Sequence, residues 1–207
     1  MNCHMPKTCW ALLKTSRSHT IASPSAKVSV ESGRPNACNL CHLDRSIAWA
    51  AETMEGWYGI EPPPLADTDR SLASGVFWTM TGDAGQRALM AWHMGSEGTQ
   101  EASGTEWMLP YLAKLLEDPY DAVRFNAVRS LQTLAGYEDF EHDFVAPADE
   151  HAKARQSLLE GWAAAASEKD SRERFQHLLL RPDGSLRQNA FENLSAYRND
   201  KHVILAE

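Results

Sequence analysis

Five consecutive residues carry the clearest chemistry in the chain: Cys38-Asn39-Leu40-Cys41-His42. Two thiols three positions apart, with an imidazole directly after the second, make the C-x-x-C-H spacing through which a c-type haem is attached. The thiols form thioethers with both vinyl groups of one porphyrin, and the adjacent histidine ligates the iron. Covalent attachment holds so large a cofactor even where few large hydrophobes surround it. His42 is the proximal-ligand candidate. His19, in a polar stretch 19 residues before Cys38, is the candidate for the sixth position. Two histidine ligands leave no open iron position, so such a haem would carry electrons rather than activate a substrate. Two other readings of the cysteine pair stay open. It is half of a zinc site if His4, His19 or His42 completes it, although no second closely spaced ligand pair is visible. It is a redox dithiol if the surroundings are βαβ, and the chain has no such pattern.

The other candidates are weaker. Cys9 has no partner at motif spacing. Met54 recurs at core spacing on the helix after the motif, which suits packing better than thioether ligation. His93 lies between Trp92 and Met94 and reads as a packing or surface residue. His142, His151, His177 and His202 carry no pattern. The tryptophans recur along the helices as core residues. No Ser/His/Asp set or glycine-rich phosphate loop stands out, so the chain reads as an electron carrier or a subunit of a redox complex rather than an enzyme.

The elements that must position the motif follow from periodicity. Residues 1–37 have little pattern and read as irregular chain. From Asp44 to Trp57 the residues Ile47, Ala50, Ala51, Met54 and Trp57 recur at helical spacing, with Asp44 as the N-terminal acid. Gly59 ends that helix. Pro62-Pro63-Pro64 cannot continue one and marks the boundary between a segment of residues 1–60 and a domain of residues 66–207. Beyond it the pattern predicts helices at 67–79, 83–94, 105–117, 120–134, 149–166, 169–180 and 184–197, and no strand alternates convincingly. Arg87, Met90 and Met94 repeat as Arg124, Ala127 and Leu131, at a common offset of 37 residues. A period near 40 with two helices per unit predicts a stacked α-solenoid. In the clearer unit, Leu112, Leu115 and Leu116 precede Glu117-Asp118-Pro119-Tyr120-Asp121-Ala122-Val123-Arg124, with Pro119 expected at the start of the second helix. This stretch resembles a HEAT repeat, and 66–95 resembles a degenerate one. The fold expected is all-α: an irregular N-terminal haem-binding segment followed by a HEAT-like α-solenoid.

Composition sets the outer bounds. The 207 residues are 43% apolar and 23% charged, ordinary for a globular protein. Twenty Lys and Arg against 28 Asp and Glu give a net charge of −8, which repels phosphate backbones and argues against nucleic acid as a partner. No apolar run is long enough to span a bilayer. The longest early run, Cys9-Trp10-Ala11-Leu12-Leu13, is too short for a signal-peptide core.

The run from Arg34-Pro35-Asn36-Ala37 through the motif to Leu43-Asp44-Arg45-Ser46, followed by Trp49-Ala50 and Trp57-Tyr58-Gly59, resembles multihaem c-type cytochromes with tetratricopeptide-like or HEAT-like repeats. Cys3-His4-Met5-Pro6-Lys7 resembles the tail of an upstream haem motif of that family. Gly82-Asp83-Ala84-Gly85-Gln86-Arg87-Ala88 and Val203-Ile204-Leu205-Ala206-Glu207 also resemble it. The first cysteine of that upstream motif would fall before Met1. The resemblance therefore implies the C-terminal portion of a longer member, with one intact haem c site. It also implies a periplasmic or other extracytoplasmic setting, redox-protein partners, and His19 as an iron ligand. The alternative is a HEAT-repeat interaction module whose haem segment is vestigial or unloaded.

Overall fold

The computed structural model describes residues 4–11, 13–19, 21, 23–166, 176–181 and 183–202. Cys3, the closing run 203–207 and most of the helix expected at 169–180 lie outside these. The chain is mostly helical, with one two-stranded hairpin in the segment expected to be irregular. Strand β1 (Lys7–Ala11) pairs antiparallel with β2 (Lys14–Arg17), with Trp10 opposite Thr15. Sequence alternation is weak here because tertiary contacts hold the hairpin. The Trp10 ring meets Trp92 edge-on at 6.1 Å, and His93 Nε2 lies 3.0 Å from the Lys7 carbonyl.

Helix α1 (Ala26–Ser32) also falls in the expected irregular stretch. The Ser25 side chain caps it, and Gly33 closes it at φ +65°. Its buried residues are Ala26 and Ser29, so it has no apolar stripe to reveal it. The motif then forms a 3₁₀ turn (Cys38–Leu40). Helix α2 (Ile47–Tyr58) is capped by Ser46 Oγ accepting from the Trp49 amide, rather than by Asp44.

The helix expected at 67–79 is two, α3 (Asp67–Ser71) and α4 (Ser74–Thr81). The break has a clear cause. The Ala73, Ser74 and Gly75 amides donate to the carbonyls of His177, Arg45 and Leu43 at 2.8–2.9 Å, not to the preceding turn. Gly75 permits this approach, since a Cβ there would lie 2.8 Å from the Leu43 carbonyl oxygen. Helix α5 (Ala84–Met94) opens with a reciprocal cap between Asp83 and Gln86. Helix α6 (Glu97–Ser103), which periodicity did not predict, follows it.

Helices α7 (Leu109–Leu115) and α8 (Asp121–Leu131) form the clearer repeat unit. Pro110 sits in the first turn of α7. Pro119 lies just outside α8, whose N-cap is Tyr120, rather than within its first turn. Helix α8 packs on α5, α5 on α4, and α9 (Ala148–Ala166) on α7. The repeated arginines behave alike: Arg87 donates to the Gly82 carbonyl at 2.6 Å and Arg124 to the Asp118 carbonyl at 2.5 Å, each folding back before its own helix. After a 3₁₀ turn (Gln176–Leu178), Leu180 bridges Leu186, and α10 (Gln188–Ser195) packs on α4. Leu40 and Leu43 are buried in one core with Val76, Met94, Trp107 and Leu112, so the motif segment and the repeat helices pack together.

Candidate functional site

The motif is one tight helical turn. The Cys41 and His42 amides both donate to the Cys38 carbonyl, at 3.3 and 2.9 Å. Positions i, i+3 and i+4 of a helical turn share a face. Cys38, Cys41 and His42 lie on this turn and are half-buried, while Asn39, Leu40, Leu43 and Asp44 are buried. The two cysteines are not joined in a disulfide.

Asparagines hold the turn from within. Asn36 Oδ1 accepts from the Cys38 amide at 2.9 Å, and its amide nitrogen donates to Ser29 on α1. Asn39, buried, donates to the Arg45 carbonyl at 3.0 Å and more loosely to those of His42 and Ser46. Helix α6 clamps the turn from outside. Ser103 Oγ donates to the Cys41 carbonyl at 2.7 Å and accepts from the Leu43 amide at 2.9 Å, while Thr99 Oγ1 donates to the Leu40 carbonyl at 3.0 Å. Trp49, one turn into α2, sets its ring 4.7 Å from the His42 ring.

Of these supporting residues, Trp49 stood out in sequence as a core candidate and, with Ala50, as part of the run that resembles multihaem c-type cytochromes. Thr99 and Ser103 carried no signal, because α6 has almost no apolar pattern. Their only hint is the i, i+4 spacing of two hydroxyls.

Cys41 borders a cavity of about 160 Å³ lined also by Lys7, Arg17, Trp92, His93 and Thr99. That is below the roughly 300 Å³ of the smallest ordinary ligand pockets, so a porphyrin would lie over this face rather than inside it. Burial holds the His93 imidazole below its usual pKa, as does the nearby Lys7 charge; the bond to the Lys7 carbonyl opposes both. His93 is thus a neutral packing residue tied to the hairpin. His19 is exposed on the bend after β2, and Arg17, two residues before it, lines the same cavity as Cys41. The hairpin therefore brings the chain leading to His19 to the motif's side. His4 is exposed, and Met54 is buried in α2. Among the described residues no group of three or more His, Cys, Asp or Glu gathers as a metal site.

The donor set fits a c-type haem: two reachable thiols and an imidazole on one turn, with that turn anchored by Leu40 and Leu43. Two histidines elsewhere do meet. His142 Nε2, on the segment after α8, lies 2.7 Å from Nδ1 of His151 near the start of α9. Burial lowers the pKa of both, with Arg124 adding to this and Asp143 and Glu150 opposing it.

Residues 108–137 match the HEAT repeat family. The match covers α7, the turn at Asp118 and α8, which pack on each other. No curated protein and no solved structure matches the chain.

Proposed function

We propose that the chain is an electron-transfer protein that carries one covalently attached c-type haem on a helical-repeat docking scaffold. Two things support the two halves of this reading. The HEAT repeat at 108–137 supports the scaffold, since stacked helix pairs present surfaces suited to protein partners. The placement of Cys38, Cys41 and His42 within one hydrogen-bonded turn, all three half-buried, supports the haem, and it is the observation that carries the proposal.

Cys38 and Cys41 would hold the porphyrin through thioethers, His42 would be the proximal ligand and His19 the sixth. The haem, when bound, supplies one-electron redox chemistry. The chain fixes everything around it. Trp49 limits rotation of the His42 ring. Ser103, Thr99, Asn36 and Asn39 satisfy the backbone of the turn, which keeps the two thiols and the imidazole in register. A redox protein is the expected partner. The exposed Trp57 and Tyr58 at the end of α2, packed edge to face at 6.2 Å, offer it an apolar contact on the helix that carries Trp49. No helix among the described residues is long and apolar enough to cross a membrane. Haem attachment of this kind takes place outside the cytoplasm, so the proposal places the working protein in an extracytoplasmic compartment.

The test is expression with an added export leader alongside haem-attachment machinery. The proposal expects a c-type absorption spectrum that survives acid–acetone extraction and disappears in the Cys38→Ala/Cys41→Ala double variant. A colourless wild-type protein would reject it. The second reading is a repeat scaffold that never carries haem, favoured by the position of the HEAT match, wholly outside the motif. It expects partner binding that is indifferent to that double substitution.

A further inference from the structure

Helix α1 and the residues just after it meet α2, α3 and α4 around a cavity of about 220 Å³. It shares no described lining residue with the cavity that Cys41 borders. Much of its wall is apolar: Val30 of α1, Ile47 at the start of α2, Leu72, and Phe77 and Trp78 of α4. The Phe77 and Trp78 rings meet edge-on at 4.9 Å. Bonds to other parts of the fold hold this wall in place. The Gly33 carbonyl accepts from Gln86 Nε2 on α5 at 2.7 Å, and the Ser74 amide donates to the Arg45 carbonyl at 2.8 Å. A preformed wall spares a ligand the cost of ordering it.

The fold leaves polar groups unused at this cavity. Arg34, exposed just beyond α1, makes no ion pair or hydrogen bond with any described residue. Asp69, half-buried on α3, accepts through Oδ2 from the Ala66 amide at 2.9 Å and has no cation within ion-pair distance among the described residues. Ser74 is 6% exposed, yet its hydroxyl bonds no described residue. An arginine and an aspartate from different elements thus line one cavity without pairing to each other. A ligand that carries both charges complements them. The volume lies below the roughly 300 Å³ of pockets for drug-sized ligands, which limits the apolar part to about one side chain.

We propose that this cavity binds a free α-amino acid with an apolar side chain. The side chain enters between Val30, Ile47, Leu72 and the two rings. Arg34 takes the carboxylate, Asp69 takes the ammonium, and the Ser74 hydroxyl supplies a further hydrogen bond. The site uses none of Cys38, Cys41 or His42 and does not depend on the haem reading.

The test titrates the full chain with L-leucine and with L-phenylalanine by calorimetry. Saturable binding of at least one is expected. The same wild-type chain is then titrated with the analogues that lack the ammonium (isocaproate, phenylpropionate) and those that lack the carboxylate (isoamylamine, phenethylamine). Each should bind about tenfold more weakly or worse, the scale of one charge-assisted hydrogen bond. Arg34→Gln should weaken amino-acid binding about tenfold and leave the amines unchanged. Asp69→Asn, whose amide oxygen can still accept from the Ala66 amide, should weaken it as much and leave the carboxylate analogues unchanged. A merely structural role would weaken every ligand together, and that result would contradict the assignment. No saturation by either amino acid at millimolar concentration would overturn the proposal. So would analogues that bind as tightly as the amino acid, or binding that both variants leave unchanged.

Discussion

Ser103 shows what a single side chain does for the motif. Its hydroxyl donates to the Cys41 carbonyl and accepts from the buried Leu43 amide. Ser103→Ala leaves both groups buried without that partner, which costs about 1–3 kcal/mol. The expected outcome is a lower urea midpoint with an unchanged slope; a midpoint equal to wild type would show that the clamp contributes nothing. At this scale the sequence was legible where chemistry dictates spacing. Cys38, Cys41 and His42 could be picked out by type and interval, and the structure sets them on one turn. The residues that hold that turn were not legible. Asn36, Asn39, Thr99 and Ser103 act through backbone groups far along the chain or around a turn, and hydrogen bonds of that kind leave no periodic trace.

Helices announced themselves where they bury a stripe of apolar residues. Helices α2, α5, α8 and α9 fell close to their predicted places because Met54, Met90, Ala127 and Leu158 recur at helical spacing. Helix α6 and the hairpin escaped. Helix α6 is polar and is used for its hydroxyls, and β1 and β2 are held by Trp10 and Lys7 meeting α5. The break between α3 and α4 was hidden too, since the groups that take its amides lie on Leu43, Arg45 and His177. A buried ion pair crosses the joint between α5 and the α7–α8 unit, beside the bonds from Asn126 and Ser130 to the Ala88 and Ala91 carbonyls. Arg87 donates to Asp118 at 2.6 and 3.2 Å, and both side chains are almost fully buried. Asp118→Ala leaves the buried guanidinium with the Gly82 and Asn199 carbonyls and, at 3.9 Å, the half-exposed Asp200 carboxylate in place of its close partner. The expected loss is about 3–5 kcal/mol, read by chemical denaturation, and a loss below about 1 kcal/mol would contradict the role given to the pair.

The whole molecule joins the motif segment and the repeat helices through one core, so acid sensitivity in either is felt as loss of global stability. His93, His142 and His151 all have their pKa lowered in the folded chain, chiefly by burial. Below about pH 6.5 the unfolded chain therefore binds more protons than the folded one, and folding stability falls as pH drops through that value. Urea midpoints measured from about pH 8 down to about pH 5 should be flat at first and then decline, less steeply in His142→Gln. A midpoint that holds or rises on acidification would contradict this. The HEAT match covers the α7–α8 pair, and α8 packs on α5 in a mostly helical chain; what remains to be tested is whether that chain carries a haem. Intact-mass measurement after thiol alkylation addresses it most directly, on protein exported through haem-attachment machinery. The account predicts the added mass of one haem, with Cys38 and Cys41 refractory to the reagent while Cys9 is labelled. The unmodified polypeptide mass, with alkylation at both 38 and 41, would contradict it.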